Sequence, residues 1–372
     1  MLDVAIIGAG PAGAVAAALL VRRGWSVEEF ERQHFPRFSI GESLLPQAME
    51  WLEEAGLLRD VIETGFQHKN GAVFQWGERQ EAFDFREKYS AGWGTTFQVQ
   101  RATFDDVLIR GAARMGAKVW FGQTVTAMRP DEAAPSLTVV DEAGETRMVT
   151  ARLVLDASGF GRTLARLLDL EIPVEVPPRM SLFRHVEDRL VPGSYDPGKI
   201  LVSVNPDNAE SWYWMIPLAN GRCSVGVVGQ PSHLAPYGQE REAQFAGLVE
   251  ASGLMGRLMA GAKPLTDIGL ISGYACRVKT LTGPGFALLG NAGEFLDPVF
   301  SSGVTIALKS ASLAAQLADR QLKGEAADWT ADFAKPLVRG VDTFRAYVNG
   351  WYSGMLQRII FTRPSGENRS SR

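Results

Sequence analysis

Only two cysteines, Cys223 and Cys276, and four histidines occur in the 372 residues. Two thiols exclude a disulfide-scaffolded fold. His34, His68, His185 and His233 lack the spacing of a metal-ligand set, so no metal site is expected. The two cysteines are expected to be buried thiols rather than a redox pair, and no Ser-His-Asp arrangement stands out. An excess of positive charge is also missing: 38 Lys+Arg face 42 Asp+Glu, a net charge of −4. That balance gives no electrostatic reason to expect a nucleic acid partner. Internal repeats and Pro/Ser-rich linkers are absent, so domain boundaries must be sought in changes of pattern. The uncharged run from Val4 to Val21 has no Lys or Arg before it, and Gly8, Gly10, Pro11 and Gly13 interrupt it. It therefore reads as neither signal peptide nor membrane span, and a cytoplasmic location is expected.

What is present fits a globular protein. Hydrophobic residues make up 46% and charged residues 22%, and a chain of this length can bury a substantial core. Glycine is the outlier at 39 residues, well above the usual ~7%. Its clearest use lies at the N-terminus. Val4 to Ile7 read as a buried strand, Gly8-Ala9-Gly10-Pro11-Ala12-Gly13 supplies G-x-G-x-x-G, and Ala14 to Arg23 form an apolar helix closing at Gly24. The first glycine permits the sharp turn, the second lets the backbone approach a pyrophosphate, and the third lets helix pack on strand. A second strand, Trp25 to Phe30, delivers Glu31, 18 residues beyond Gly13, where a carboxylate can accept from both ribose hydroxyls. Glu31 rather than Arg32 favours an unphosphorylated ribose, as in FAD or NAD.

Further along, Gly41-Glu42-Ser43 leads into a helix with Pro46 in its first turn, and residues 71 to 100 read as short antiparallel strands. Ala102 to Gly116 reads as a helix. Val119 to Arg129 and Leu137 to Val149 read as hairpin strands, the second folding back on itself through a turn near Glu142 to Gly144, and Leu153 to Asp156 as a separate buried strand ending in a turn at Gly159. Residues 166 to 274 alternate in a way that suits an antiparallel sheet. Phe286 to Gly290 returns to a buried strand, Gly303 to Leu322 reads as a helix, and Trp329 to Phe361 as two helices broken near Gly350.

Four separated pieces carry a family resemblance. They are the N-terminal motif continued by Phe35-Pro36-Arg37 and Gly41-Glu42-Ser43; Lys69 followed by Phe74 and Trp76; Trp212-Tyr213-Trp214-Met215-Ile216-Pro217, which fits W-x-W-x-I-P; and Phe295 to Gly303, which fits F-x-x-P-x-x-S-x-G. In these the chain resembles the flavin-dependent halogenases, of the tryptophan-halogenase-like, phenol/pyrrole-type subgroup, within the FAD monooxygenases of hydroxybenzoate hydroxylase type. The resemblance implies an α/β fold: a Rossmann-type FAD-binding domain with an inserted antiparallel-sheet substrate domain and a short C-terminal helical segment. The expected boundaries are 1–75, 97–165 and 275–325 for the FAD-binding domain and 76–96 and 166–274 for the substrate domain. The C-terminal helices would span 326–361, and a mobile tail 362–372.

The resemblance further implies that reduced FAD and oxygen form a flavin C4a-hydroperoxide, that halide attacks it to give hypohalous acid, and that this is relayed to Lys69 beside an electron-rich aromatic. Trp212 and Trp214 would keep substrate away from the flavin. Cofactor contacts are implied at Gly8, Gly10, Pro11, Ala12, Gly13, Glu31, Arg32, Arg37, Gly41, Glu42, Ser43, Arg101, Val125, Asp156, Gly159, Asn291, Asp297, Pro298, Ser301, Ser302, Gly303 and Val304. Asp105, four residues after Arg101, belongs to the same pattern. FADH2 would arrive from a separate reductase, because no second glycine-rich βαβ unit for a nicotinamide is visible. The substrate would be a phenol, a pyrrole or a carrier-protein-tethered group.

Two positions depart from the pattern. Gly290-Asn291 stands where the wider class has Gly-Asp, which removes a charge but keeps an acceptor for a ribityl hydroxyl. Phe300 stands where free-tryptophan halogenases have glutamate, which disfavours free tryptophan. The bland readings remain open beside the functional ones: Lys69 as a surface residue, the tryptophans as core packing, Ser and Gly after Pro298 as a helix start. The competing activity is an FAD-dependent monooxygenase hydroxylating an aromatic small molecule or a Trp side chain of a partner protein; the chain's stop soon after Phe361, short of many halogenases, keeps it in play. A flavin reductase of isoprenoid double bonds, or an inactive flavoprotein that binds a partner, are the remaining readings.

Overall fold

The computed structural model describes residues 1–362; the tail assigned to 362–372 lies, after Thr362, outside the described residues. The chain divides into two compact units: residues 1–69, 88–176 and 273–344 form the first, and 70–87, 177–272 and from Arg345 onward form the second.

The first unit is built on a sheet in the order Thr282–Gly283, Phe286–Leu288, Thr146–Asp156, Leu2–Ile7, Val27–Glu31 and Lys118–Phe121. The pairs from Phe286–Leu288 through to Lys118–Phe121 are parallel. A parallel sheet needs covered faces, and its strands therefore read as apolar runs. The helix Pro11–Val21 buries every residue from Pro11 to Leu20, which accounts for its lack of a polar face. It packs against the long helix Ser302–Leu322; fully burying each of its two leucines contributes about 1.5–3 kcal/mol. The close approach that the glycine spacing predicts is present. Gly8 has φ +92°, and a Cβ on Gly13 would fall 2.1 Å from the Gly8 carbonyl oxygen.

Three local expectations differ from the structure. The stretch 119–129 divides at Gly122 (φ +67°): Lys118–Phe121 joins the parallel sheet, and Thr124–Arg129 pairs instead with Ser136–Val140. The expected fold-back near 142–144 is present, Ser136–Val140 returning as Thr146 onward, but that second arm and the strand expected at 153–156 are one continuous strand, Thr146–Asp156. It is antiparallel to Ser136–Val140 at its start and parallel to Leu2–Ile7 at its end, because no Gly or Pro breaks it before Gly159. The last helices, Lys335–Tyr352 and Met355–Phe361, are separated at Gly354 (φ +74°), not at Gly350. Gly350 stays helical, where a Cβ would come within 3.0 Å of Met355 and Leu356.

The second unit is a seven-stranded sheet in the order Gly269–Ser272, Met180–Glu187, Arg222–Gly229, Trp212–Leu218, Lys199–Val204, Gly71–Trp76 and Arg79–Asp84. All pairs are antiparallel except Lys199–Val204 with Gly71–Trp76. These two strands come from distant parts of the chain and so need no hairpin between them. One face buries Leu182, Tyr213, Met215, Val225 and Val227 together with Phe245, Leu248 and Met255 of the helical segment that follows. By the strand's period of two, the other face carries Trp212 and Trp214.

Candidate functional site

The glycine loop of the first unit ends in an uncapped helix. Gly10 occupies the N-cap without a side-chain hydrogen bond, Pro11 follows at the first turn, and no acid lies in that turn. Free N–H groups and the helix dipole there favour an anion. Arg37 stands over this end: a Cβ on Gly10 would lie 3.4 Å from its Nη2. Its Nε is buried with no hydrogen-bond partner among the described residues. Glu31 is buried, and its carboxylate accepts from the N–H of Ala9 at 3.0 Å and of Gln33 at 2.9 Å. Arg32 is exposed.

Asp105, fully buried, organises two arginines. Arg101 donates to it twice, Nε to Oδ1 at 2.8 Å and Nη2 to Oδ2 at 2.9 Å, and Arg37 Nη1 donates to Oδ2 at 3.2 Å. Arg101 also donates to the Ile40 carbonyl. Gly41 lies beside it, where a Cβ would be 3.0 Å from Arg101 Nη1 and 3.7 Å from Val304 Cγ2. Glu42 is buried, and its carbonyl accepts from the N–H of Val99. The Val125 side chain belongs to the core, at a bulge in its strand, which leaves only its backbone to meet a ligand. Asp156 holds its own turn, accepting from the N–H of Ser158 at 2.9 Å and of Leu164 at 2.6 Å, while Gly159 opens the short turn between them. Burial raises the Asp156 pKa and these N–H bonds oppose the rise.

A second uncapped helix start lies at Ser302–Leu322. Asp297 accepts from the N–H of Val299 at 3.1 Å and fixes the turn Pro298–Phe300. Ser301 follows in the left-handed region at φ 56°, and Ser302, Gly303 and Val304 open the helix. Asn291 Oδ1 and Thr305 Oγ1 are buried there without a hydrogen-bond partner among the described residues, and a Cβ on Gly303 would lie 3.8 Å from Asn291 Oδ1. A buried polar atom left unsatisfied costs about 1–3 kcal/mol. Arg37 Nε, Asn291 Oδ1 and Thr305 Oγ1 are therefore placed as groups awaiting a polar ligand, at two helix N-termini that favour anions. The anion-favouring helix starts and the unsatisfied polar atoms beside them fit FAD.

Lys69 is 1% exposed. It lies on the strand Gln67–Lys69, directly opposite Thr96 of Thr96–Gln98. Its Nζ donates to Ser43 Oγ at 2.6 Å and to the Leu44 carbonyl at 2.7 Å. Ser301 Oγ shares a hydrogen bond with the same Ser43 Oγ at 3.1 Å. Burial pulls the Lys69 pKa down to about 7. The structure thus joins three residues from separate motifs, and the surface reading of Lys69 falls. Two contributors escaped the sequence reading: the Leu44 carbonyl, which no residue type announces, and Thr96, whose buried Oγ1 has no hydrogen-bond partner among the described residues. Only the alternation of Thr96-Phe97-Gln98 hinted at a strand there.

Trp212 and Trp214 belong to the second unit. Their ring centroids are 6.0 Å apart, and Phe183 extends the row, 6.2 Å from Trp214. Trp212 Nε1 donates to the Tyr352 hydroxyl at 2.9 Å and Trp214 Nε1 to Ser224 Oγ at 3.2 Å. Gly226 makes room for Trp214: a Cβ there would fall 2.3 Å from its ring. With both indole N–H groups satisfied, the pair forms a fixed aromatic wall. Cys223 and Cys276 are buried free thiols. Among the described residues no cluster of His, Cys, Asp and Glu could hold a metal, and no helix is long and apolar enough to cross a membrane.

Residues 1–224 match the family described as FAD binding domain. Among curated proteins the chain is 32% identical over 329 residues to the tryptophan 2-halogenase of Chondromyces crocatus, covering 86% of this chain and 61% of that protein. It is 30% identical to flavin-dependent halogenase armH3 of Armillaria mellea, with 87% and 68% covered. It is 28% identical to the 1H-pyrrole-2-carbonyl peptidyl-carrier-protein chlorinase of Pseudomonas fluorescens, with 84% and 74% covered. The chain therefore spans about three-fifths to three-quarters of these relatives' lengths. Among solved structures, a flavoprotein/dehydrogenase of Cytophaga hutchinsonii superposes with TM-score 0.93 at 40% identity, covering 98% of this chain and 90% of that one. The flavin-dependent halogenase CmlS superposes with TM-score 0.82 at 28% identity, with 98% and 66% covered. The FAD-binding architecture, the four motifs and these likenesses agree, and the chain belongs to the flavin-dependent halogenase family of FAD-dependent oxidoreductases.

Proposed function

We propose that the protein halogenates an electron-rich aromatic with FADH2, oxygen and chloride or bromide, and that a separate flavin reductase delivers the FADH2. Lys69 is the observation that carries this reading: a fully buried amine, drawn down to about 7 by burial, is held by Ser43 and the Leu44 carbonyl. With FAD bound, reduced flavin and oxygen supply the oxidant that turns halide into hypohalous acid. Lys69 holds that acid by hydrogen bonding, or as a haloamine formed with loss of water, and presents the halogen to a ring carbon. The carbon–halogen bond forms, the carbon loses its proton, and the oxygen of hypohalous acid departs as water. The ring carbon is oxidised and the electrophilic halogen is reduced. Arg37, Arg101 and the two helix N-termini bind the cofactor, and the wall of Trp212 and Trp214 bars substrate from direct hydroxylation.

Phenols, pyrroles and carrier-tethered groups are the substrate classes. The carrier-tethered form draws support from the chlorinase relative, whose name specifies a pyrrole on a peptidyl-carrier protein. A second reading is hydroxylation of the same aromatic by an FAD monooxygenase, which needs the same reduced flavin and oxygen but no halide. Incubation with FADH2, oxygen, bromide and a panel of phenols, indoles and pyrroles separates the two. Halogenation gives a product carrying the bromine isotope pair in its mass spectrum. Oxygenated product without bromine would reject halogenation in favour of the monooxygenase.

A further inference from the structure

Lys69, Ser43 and Ser301 form one hydrogen-bonded chain, and its middle member, a hydroxyl, touches both ends. We propose that Ser43 is a positioning residue that couples the protonation state of Lys69 to Ser301 at the start of the helix Ser302–Leu322. The inference rests on the reading of Lys69 as the halogen-holding amine.

A serine hydroxyl offers one donor and two acceptor lone pairs. When Lys69 is an ammonium, its N–H donates to Ser43 Oγ, and the Ser43 proton turns to Ser301 Oγ. When Lys69 is an amine, Ser301 donates to Ser43 and Ser43 donates to the Nζ lone pair. The Leu44 carbonyl at 2.7 Å accepts in both states and can donate in neither. Of these two contacts only Ser43 answers the change of charge. Phe300, next to Ser301, brings no acid–base group, so the connection runs through hydroxyls. Ser43 is 5% exposed, and Ser301 is set by its left-handed backbone at φ 56°. The Ser43 hydroxyl is therefore held for reorientation instead of being exchanged for bulk water, with half-buried Ser301 fixed in direction by its backbone. With the amine titrating near neutrality, the chain reverses in the range where the lysine must alternate between holding halogen and being protonated. Hydrogen bonds to the charged form are the stronger ones, and neighbours in a chain polarise one another, so both serines favour the ammonium.

The titration of Lys69 itself is the test, read by NMR in the purified flavoprotein labelled with 13C at lysine Cε, with the Lys69→Arg spectrum assigning the signal. Ser301→Gly removes the hydroxyl with a residue that prefers the left-handed backbone, and Ser43→Thr keeps a hydroxyl at 43. The expected result is a downward move of the Lys69 midpoint of about half a pH unit in Ser301→Gly, a larger one in Ser43→Ala, and restoration in Ser43→Thr. In the Ser43→Ala background, Ser301→Gly should then add nothing, the signature of coupling through the shared residue. An unmoved midpoint in Ser301→Gly, or an equal move with and without Ser43, overturns the proposal. Because the signal comes from Lys69, these outcomes stand whether or not bromide is incorporated, and the bromide assay separately decides the halogenase reading.

Discussion

The carboxyl of Glu29 lies directly against Gly13: a Cβ on that glycine would fall 2.3 Å from Glu29 Oε1. Both carboxyl oxygens are buried with no hydrogen-bond partner among the described residues. The third glycine of the motif therefore accommodates an acid as well as the backbone of Gly8. Burial, and next the charge of Glu31, raise the Glu29 pKa well above its ordinary value, so the folded protein holds it as a neutral acid.

Glu29 should make the first unit less stable as pH rises. An unfolded glutamate releases its proton near ~4.3, whereas the folded state retains it to higher pH. Stability is full below the unfolded value and declines between the two, by up to about 1.4 kcal/mol per pH unit. Urea unfolding across this window should show the decline in the wild type and a flatter profile in Glu29→Gln. Equal slopes in both would reject a neutral Glu29.

Lys69 has the opposite sign. Its pKa is drawn down to about 7 in the fold, against ~10.4 for a free lysine, so the unfolded chain binds the extra proton and stability rises with pH between those values. Halogenation should rise with an apparent midpoint near 7 as the amine forms. Lys69→Met should lower bromination by a factor of about 100 or more, the upper range for a positioned acid–base group, while FADH2 oxidation continues. A bromination rate independent of pH from 6 to 8 would argue against the amine as the reacting form.

Asp105 neutralises two arginines at once. Replacing it with Asn leaves Arg101 buried without its counter-charge, and breaking such a pair costs about 3–5 kcal/mol. Thermal unfolding should show that loss, with weaker retention of flavin because Arg37 is freed from its place over Gly10. Undiminished stability in Asp105→Asn would mean that the arginines find other partners.

Gly226→Ala should push Trp214 out of its packing, because the new Cβ would sit 2.3 Å from the ring. Overpacking of this kind costs about 1–3 kcal/mol. A changed near-UV circular dichroism spectrum, and more oxygenated product if the wall keeps substrate from the flavin, are the readouts. An unchanged spectrum would show that the ring moves aside freely.

Much of the first unit was legible because its requirements are local. The turn at Gly8, the close approach at Gly13 and the acid at Glu31 are demanded by a strand, a helix and a phosphate within some thirty residues. Strand ends were less legible. Thr146–Asp156 changes partners midway without any residue that marks the change, and the terminal helix break depended on which of Gly350 and Gly354 takes the left-handed backbone.

The sequence by itself determined the nucleotide-binding fold, the two tryptophans on one strand face and the serine–glycine start of the second helix, because each follows from short-range steric and hydrogen-bonding needs. Only the tertiary structure decided that Lys69 is buried, with an amine titrating near 7, and that it shares Ser43 with Ser301. Those contacts join positions 26 and 258 residues apart, and desolvation, which sets the lysine's charge, depends on what the folded chain packs around it and not on its neighbours in sequence.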